Sequence, residues 1–250
     1  MKSPKEIPNK VIKALREGGI NLLIFRTFRT IREQCYRRFL KDKTVMLFGH
    51  PVEGAWNVRE IINDIVLSNQ YPIELIPDGS VVVDAGANVG VFSIFVAHFR
   101  PKAKIYAFEP TPKTFEKLKR NTRHYPNIKV FDYGLGDRNG SSSIIENKGF
   151  DVSNYIGEGG TPCELRTLDS RKLEPDFIKI DAEGYEENIL KGAGKTIKKY
   201  QPIIVMEMGH KMNDWERLPK MVSSISPYDF ELRHDADKDM ICRPLRKNRK

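Results

Sequence analysis

Long apolar runs are missing from this 250-residue sequence. The best one, around residues 80–99, is broken by Asp84 and Asn88. None approaches the ~20 residues a helix needs to cross a bilayer. Cysteine is scarce. Cys35, Cys163 and Cys242 stand far apart, with no C-x-x-C and no metal-ligand spacing. That excludes a disulfide framework and fits free thiols in a reducing compartment. The N-terminus lacks a long apolar core followed by a small-residue cleavage site, so a signal peptide is not expected and a cytoplasmic location is. There is no G-x-G-x-x-G, no P-loop and no Ser/His/Asp arrangement, so dinucleotide oxidoreductases, NTPases and hydrolases find no support. Internal repeats are absent as well.

Acid is scarce at the chain ends. The net charge is +9, but residues 1–43 carry 12 Lys/Arg against 4 Asp/Glu, and residues 241–250 carry 5 basic residues and no acid. The remainder therefore holds 25 basic residues against 29 acidic ones and is net −4. An acidic body argues against a broad nucleic-acid groove. Basic ends suit phosphates or an anionic membrane face. Residues 8–41 read as two basic, amphipathic helices split at Gly18-Gly19. Packing on the domain is the plainer expectation for them, and a peripheral membrane contact the sharper one.

What is present is alternation. "TVMLFG" reads as a short strand and residues 57–68 as a helix. Then "VVVD", "KIYAFE", "IKVFDY", "DFIKID" and "PIIVMEM" read as core strands separated by helices, and "FELRH" and "DMICRP" as a closing antiparallel pair. "SSSIIE" and "CELRTL" read as a hairpin-like excursion. Strand–helix alternation predicts an α/β fold, a parallel sheet covered on both faces. We divide the chain into a basic helical extension (1–75), a catalytic-type domain (76–242) and a basic tail (243–250).

The informative stretch is "DAGANVG", 84–90, at the end of the first core strand. Ligands of open α/β sheets sit outside the carboxyl ends of strands where strand order reverses. The spacing Gly86-x-x-x-Gly90, with Asp84 two residues before the first glycine, is not that of a pyrophosphate turn. An acid there repels phosphate and suits an ammonium. The next strand ends at Glu109, whose carboxylate can accept both hydroxyls of a ribose. Thr111 and Pro112 are placed to cap and open the following helix. A nucleoside with no phosphate and a cationic amino-acid tail fits these residues: S-adenosylmethionine.

These residues also carry a resemblance. "VVVDAGANVGVFSIF", "YAFEPTPKTFEKLKRN", "YGLGDRNG", "RTLD" and "DFIKIDAEGYEENILKGA" resemble the successive blocks of the FkbM family of S-adenosylmethionine-dependent methyltransferases. The resemblance runs from about residue 81 to 207 and is most specific in the last block. It implies a Rossmann-like class I methyltransferase fold with a seven-stranded, mostly parallel sheet. It implies O-methylation, typically of a sugar or natural-product hydroxyl. Asp84, Gly86, Asn88 and Gly90 would form the cofactor turn, Glu109 would hold the ribose, and Asp132 and Asp137 would flank the adenine. Asp137 reads equally well as a turn residue, and Asp169 as a turn cap.

Methyl transfer to a hydroxyl needs alignment and a proton acceptor. Asp181 and Glu183 follow the fourth core strand, and Glu207 and His210 the fifth, so all four are candidates for base and acceptor binding. Carboxylates also suit a divalent cation, which nothing else in the sequence supports. An RNA methyltransferase is disfavoured by the acidic body and by "DAEG" where base-amine enzymes tend to carry an N/D-P-P-Y/F motif. A non-catalytic S-adenosylmethionine-binding module is the remaining alternative.

Overall fold

The computed structural model describes residues 44–54, 61–62, 64–65, 69–145, 154–233 and 239–245. The two basic helices expected over residues 8–41, their membrane contact, and the end of the basic tail lie outside the described residues. Of the helix expected over 57–68, the described residues 61 and 62 are helical.

Among the described residues, seven strands form the central sheet. In chain order they are β3 (Val81–Ala85), β4 (Lys104–Phe108), β5 (Ile128–Phe131), β10 (Phe177–Ile180), β11 (Ile203–Glu207), β12 (Tyr228–Arg233) and β13 (Asp239–Pro244). Their spatial order is β12-β13-β11-β10-β3-β4-β5. The five strands from β11 to β5 are parallel, and β13 and β12 close one edge antiparallel. The chain runs outward from β3 to β5, then returns to place β10 on the other side of β3. Strand order thus reverses between β3 and β10, which opens a crevice at their carboxyl ends.

Period-2 alternation sorts the strand residues between two cores. Val82, Ile105, Phe177, Val205 and Ile241 face one side, and Val83, Phe108, Ile178, Ile204 and Cys242 the other. The first core is filled by α1 (Val91–Phe99), where every residue except His98 is buried. A helix apolar all round needs cover on its outer side. The cover comes from the hairpin β1 (Thr44–Leu47) and β2 (His50–Glu53) and from the segment around Tyr71, Ile73 and Ile76, all in the same cluster. Asn121 in α2 (Pro112–Thr122) locks that hairpin. It accepts from Glu53 N–H (2.9 Å) and donates to Glu53 O and Val89 O (both 2.8 Å). The second core is covered by α4 (Glu186–Gly192), α5 (Gly194–Tyr200) and α6 (Asp214–Ile225).

The expected excursion is a second sheet. β7 (Gly140–Ile145) pairs antiparallel with both β8 (Tyr155–Ile156) and β9 (Thr161–Arg166), and β6 (Gly134–Leu135) joins β9 in parallel. Asp169, in the one-turn α3 (Leu168–Arg171), takes the N–H groups of Lys195 (3.0 Å) and Thr196 (2.8 Å). It anchors the start of α5, where negative charge is favoured. Cys163 and Cys242 are free thiols.

Candidate functional site

A cavity of about 300 Å³ opens at the reversal of strand order. Gly86, Asn88 and Glu109 line one side, and Tyr71, Asp181, Glu183 and Glu207 the other. Leu135, Ile144 and Tyr155 bring the second sheet to its rim. The carboxyl ends of β3, β4, β10 and β11 therefore converge on one space.

The glycine turn owes its composition to the protein itself. Gly86, Asn88 and Gly90 have φ of +79°, +50° and +92°. Glycine and asparagine are the residues that tolerate this left-handed region. A Cβ on Gly86 would lie 1.8 Å from the Asp181 carbonyl oxygen, and one on Gly90 2.7 Å from Leu118 Cδ1. The first glycine lets β3 leave the sheet against the end of β10. The second lets α1 start against α2. The expected cofactor turn therefore has packing reasons of its own, while Gly86 and Asn88 line the cavity.

Asp84 also differs from its expectation. It is fully buried, and its Oδ2 accepts from Ser93 Oγ at 2.7 Å. Its Oδ1 lies 3.2 Å from the Lys179 ammonium. The cation that Asp84 calls for is supplied by the chain, and Asp84 supports the turn from behind. Lys179 is register partner to Asp84 across β10 and β3 and was missed in the sequence. The available signal was a lysine inside the apolar strand "FIKI", two residues before the candidate Asp181.

Glu109 faces the cavity. Its Oε2 accepts Asn88 N–H (3.0 Å) and its Oε1 accepts Thr111 N–H (2.9 Å). Each oxygen keeps a further acceptor position, which suits a pair of hydroxyls. Burial raises the Glu109 pKa, and the two N–H groups oppose that rise. Thr111 occupies the cap position with Pro112 next, but its side chain makes no capping bond. A nucleoside carrying a ribose diol fits these groups. Asp132 lines a separate, shallower cavity with Pro112 and Cys163. Asp137 pairs with Arg138 at 3.5 Å and raises the Tyr185 pKa, though burial raises that more. Neither aspartate lines the main cavity.

The four candidates for acid–base work do come together. Asp181 Oδ2 accepts from Tyr71 Oη at 2.9 Å and lies 3.4 Å from Lys179 Nζ. Burial would raise the Asp181 pKa, but Lys179, with hydrogen bonds from Glu207 and Tyr71, holds it below the usual value. Glu207 goes the other way. Burial and then the adjacent Asp181 charge push it up to about 10. The two carboxylates are thus pushed apart, Asp181 toward its anion and Glu207 toward its acid, as like charges this close require. His210 Nε2 lies 3.4 Å from Glu183 and 3.6 Å from Glu207, and Nδ1 3.5 Å from Glu186. Its bond to Glu183 raises its pKa against burial, with Glu186 adding to the rise. Glu186 is itself tied down by the N–H groups of Ala182 (3.1 Å) and Gly184 (3.0 Å). Tyr71 and Glu186 were not singled out in the sequence, because neither belongs to a strand-end motif. Among the described residues, no group of three or more His, Cys, Asp or Glu side chains has the arrangement to hold a metal ion.

Residues 84–232 match the family model described as the methyltransferase FkbM domain. The hexuronic acid methyltransferase AglP of Haloferax volcanii is 28% identical over 169 residues, covering 62% of this chain and 66% of AglP. The 2-O-methyltransferase NoeI of Sinorhizobium fredii is 25% identical over 188 residues, covering 65% and 77%. The crystal structure of a methyltransferase FkbM from Methylobacillus flagellatus superposes with a TM-score of 0.54 at 25% identity, covering 66% of this chain and 44% of that one. The chain spans between 5% and 80% of the length of the curated relatives it matches.

Proposed function

Since this chain belongs to the FkbM methyltransferase family, we propose that it transfers a methyl group from S-adenosylmethionine to a hydroxyl of a sugar in a glycan or glycolipid precursor. The observation that carries this reading is one cavity with a diol-accepting carboxylate on one wall and a proton-handling cluster on the other. One relative supports a sugar acceptor by its name, a hexuronic acid methyltransferase, and another supports O-methylation, a 2-O-methyltransferase.

S-adenosylmethionine, when bound, supplies a methyl group already activated by its sulfonium. The protein's work is alignment and proton removal. Glu109 holds the ribose hydroxyls, fixed by the Asn88 and Thr111 amides. Across the cavity, Asp181 and Glu207 share a proton and orient the acceptor. The Glu183–His210 pair takes the hydroxyl proton, with Glu183 at the cavity wall and His210 behind it. Such a base contributes ~10²–10⁴-fold.

The test is calorimetric titration with S-adenosylmethionine, with NAD as control, followed by transfer of labelled methyl to neutral and acidic glycosides. Micromolar binding of the methyl donor alone is the expected result. Absence of binding would remove this reading.

A further inference from the structure

Lys179 sits in the middle of β10, whose four residues are all buried. A lysine buried to 3% exposure is costly unless fully partnered. A valine there, facing a valine at 84, would serve a plain parallel sheet as well. The chain instead carries an ammonium with acceptors at the ends of two neighbouring strands. Lys179 Nζ donates to Gly86 O at 2.7 Å. It lies 3.2 Å from Asp84 Oδ1, 3.4 Å from Asp181 Oδ2 and 5.2 Å from the centre of the Tyr71 ring. Gly86 belongs to the glycine turn, and Asp181 and Tyr71 belong to the neighbouring acid–base cluster. The two strand ends are joined through backbone by Asp181 N–H donating to Ala85 O at 3.1 Å, and Lys179 adds the link between their side chains. Asp84 is braced in turn by Ser93 of α1.

We propose that Lys179 is a positioning residue, a buried ammonium that couples the turn at 84–88 to the side chains of Asp181 and Tyr71 beyond the backbone bond that joins the two strand ends. This rests on reading the cavity as the methyl-transfer site. In-line transfer depends on that alignment, since a displacement of about 1 Å costs ~10²-fold. The same ammonium favours the ionised form of Asp181.

The test separates coupling from mere stability. Lys179→Met leaves Asp84 as an unpaired buried carboxylate and lowers Tm. The double variant Lys179→Met/Asp84→Asn removes both charges, and its Tm returns to within a few degrees of the parent. Hydrogen–deuterium exchange is then followed in residues 86–88 and 181–184 of the parent and the double variant, with and without saturating adenosine. Adenosine is chosen because it lacks the amino-acid tail that would reach the far wall. In the parent, adenosine slows exchange in both segments. In the double variant, protection stays at 86–88 and is lost at 181–184, and without ligand both segments exchange about tenfold faster. Equal protection of both segments in both proteins overturns the coupling. If adenosine protects neither segment of the parent, the nucleoside reading of the cavity falls instead. The coupling is then decided by unliganded exchange, where equal rates overturn it.

Discussion

At the scale of single residues, the site works through pairs whose members are pushed in opposite directions. Glu109 tests the nucleoside wall. Glu109→Ala removes a carboxylate that accepts charge-assisted bonds, and donor affinity should fall about 10- to 100-fold by calorimetry. The fold should persist, because only two backbone N–H groups lose a partner, at the cavity wall. Glu207 tests the proton-sharing pair. Its folded-state pKa of about 10 lies above the ordinary value of 4.5. A raised pKa means the stability it contributes is present below pH 4.5 and is lost as pH climbs toward 10. Glu207→Gln cannot ionise, so its Tm should exceed that of the parent by a margin that grows with pH across that window. A constant Tm difference from pH 5 to 9 would count against a shared proton. His210 has a raised pKa too, above 6.5, set first by Glu183. Only neutral His210 can take a proton, so kcat/KM should rise with pH through a value above 6.5, and the rise should flatten in Glu183→Gln. An unchanged profile would remove the pair from proton transfer.

Among the elements, two contacts decide whether the cavity exists. The first is the crossing of the β3 turn over the end of β10. Gly86→Ala puts a Cβ 1.8 Å from backbone at a φ of +79°, which should cost about 3 kcal/mol or more through strain and overpacking together. Chemical denaturation measures it, and a loss below 1 kcal/mol would mean the turn can relax. The second is the docking of the β1–β2 hairpin on α2. Asn121 makes three hydrogen bonds there while almost wholly buried. Asn121→Ala orphans those backbone groups, at about 1–3 kcal/mol for each one left unsatisfied. Limited proteolysis should then cut within residues 44–54 before the rest of the domain, and simultaneous cutting throughout would speak against a separable hairpin.

For the whole molecule, charge and topology set what reaches the cavity. The body of the sequence is net −4, and among the described residues the cavity is lined by Asp64, Glu109, Asp181, Glu183 and Glu207 against one internally paired lysine. This favours a sulfonium donor and disfavours phosphate-rich acceptors. Saturation with S-adenosylmethionine at about 100 times its Kd should add ~2.7 kcal/mol of apparent stability. That corresponds to a Tm rise of about 5–10 °C for a domain of this size. A salt-dependent gel shift with RNA and no such rise would move the weight to nucleic acid.

How much of this was legible follows from range. The sequence by itself determined the strand and helix order, because hydrophobic periodicity and caps are local. It also determined the cavity's address, because the carboxyl ends of alternating parallel strands mark it in any such sheet. "DAGANVG", the strand-ending Glu109, and the "DAEG" and "MEMGH" ends could all be read as residues bound for one space. Their purposes could not. Gly86 faces Asp181 across 95 positions of chain and Tyr71 bonds it across 110, so only the folded sheet decided why a glycine and a tyrosine stand there. Asp84 looked like a ligand for a cation, and it is, but the cation is Lys179 in a strand that parallel pairing alone brings alongside. Asp181 and Glu207, alike as carboxylates in the sequence, were pushed toward an anion and toward an acid because the tertiary structure put an ammonium beside one and set the other, partly buried, against it.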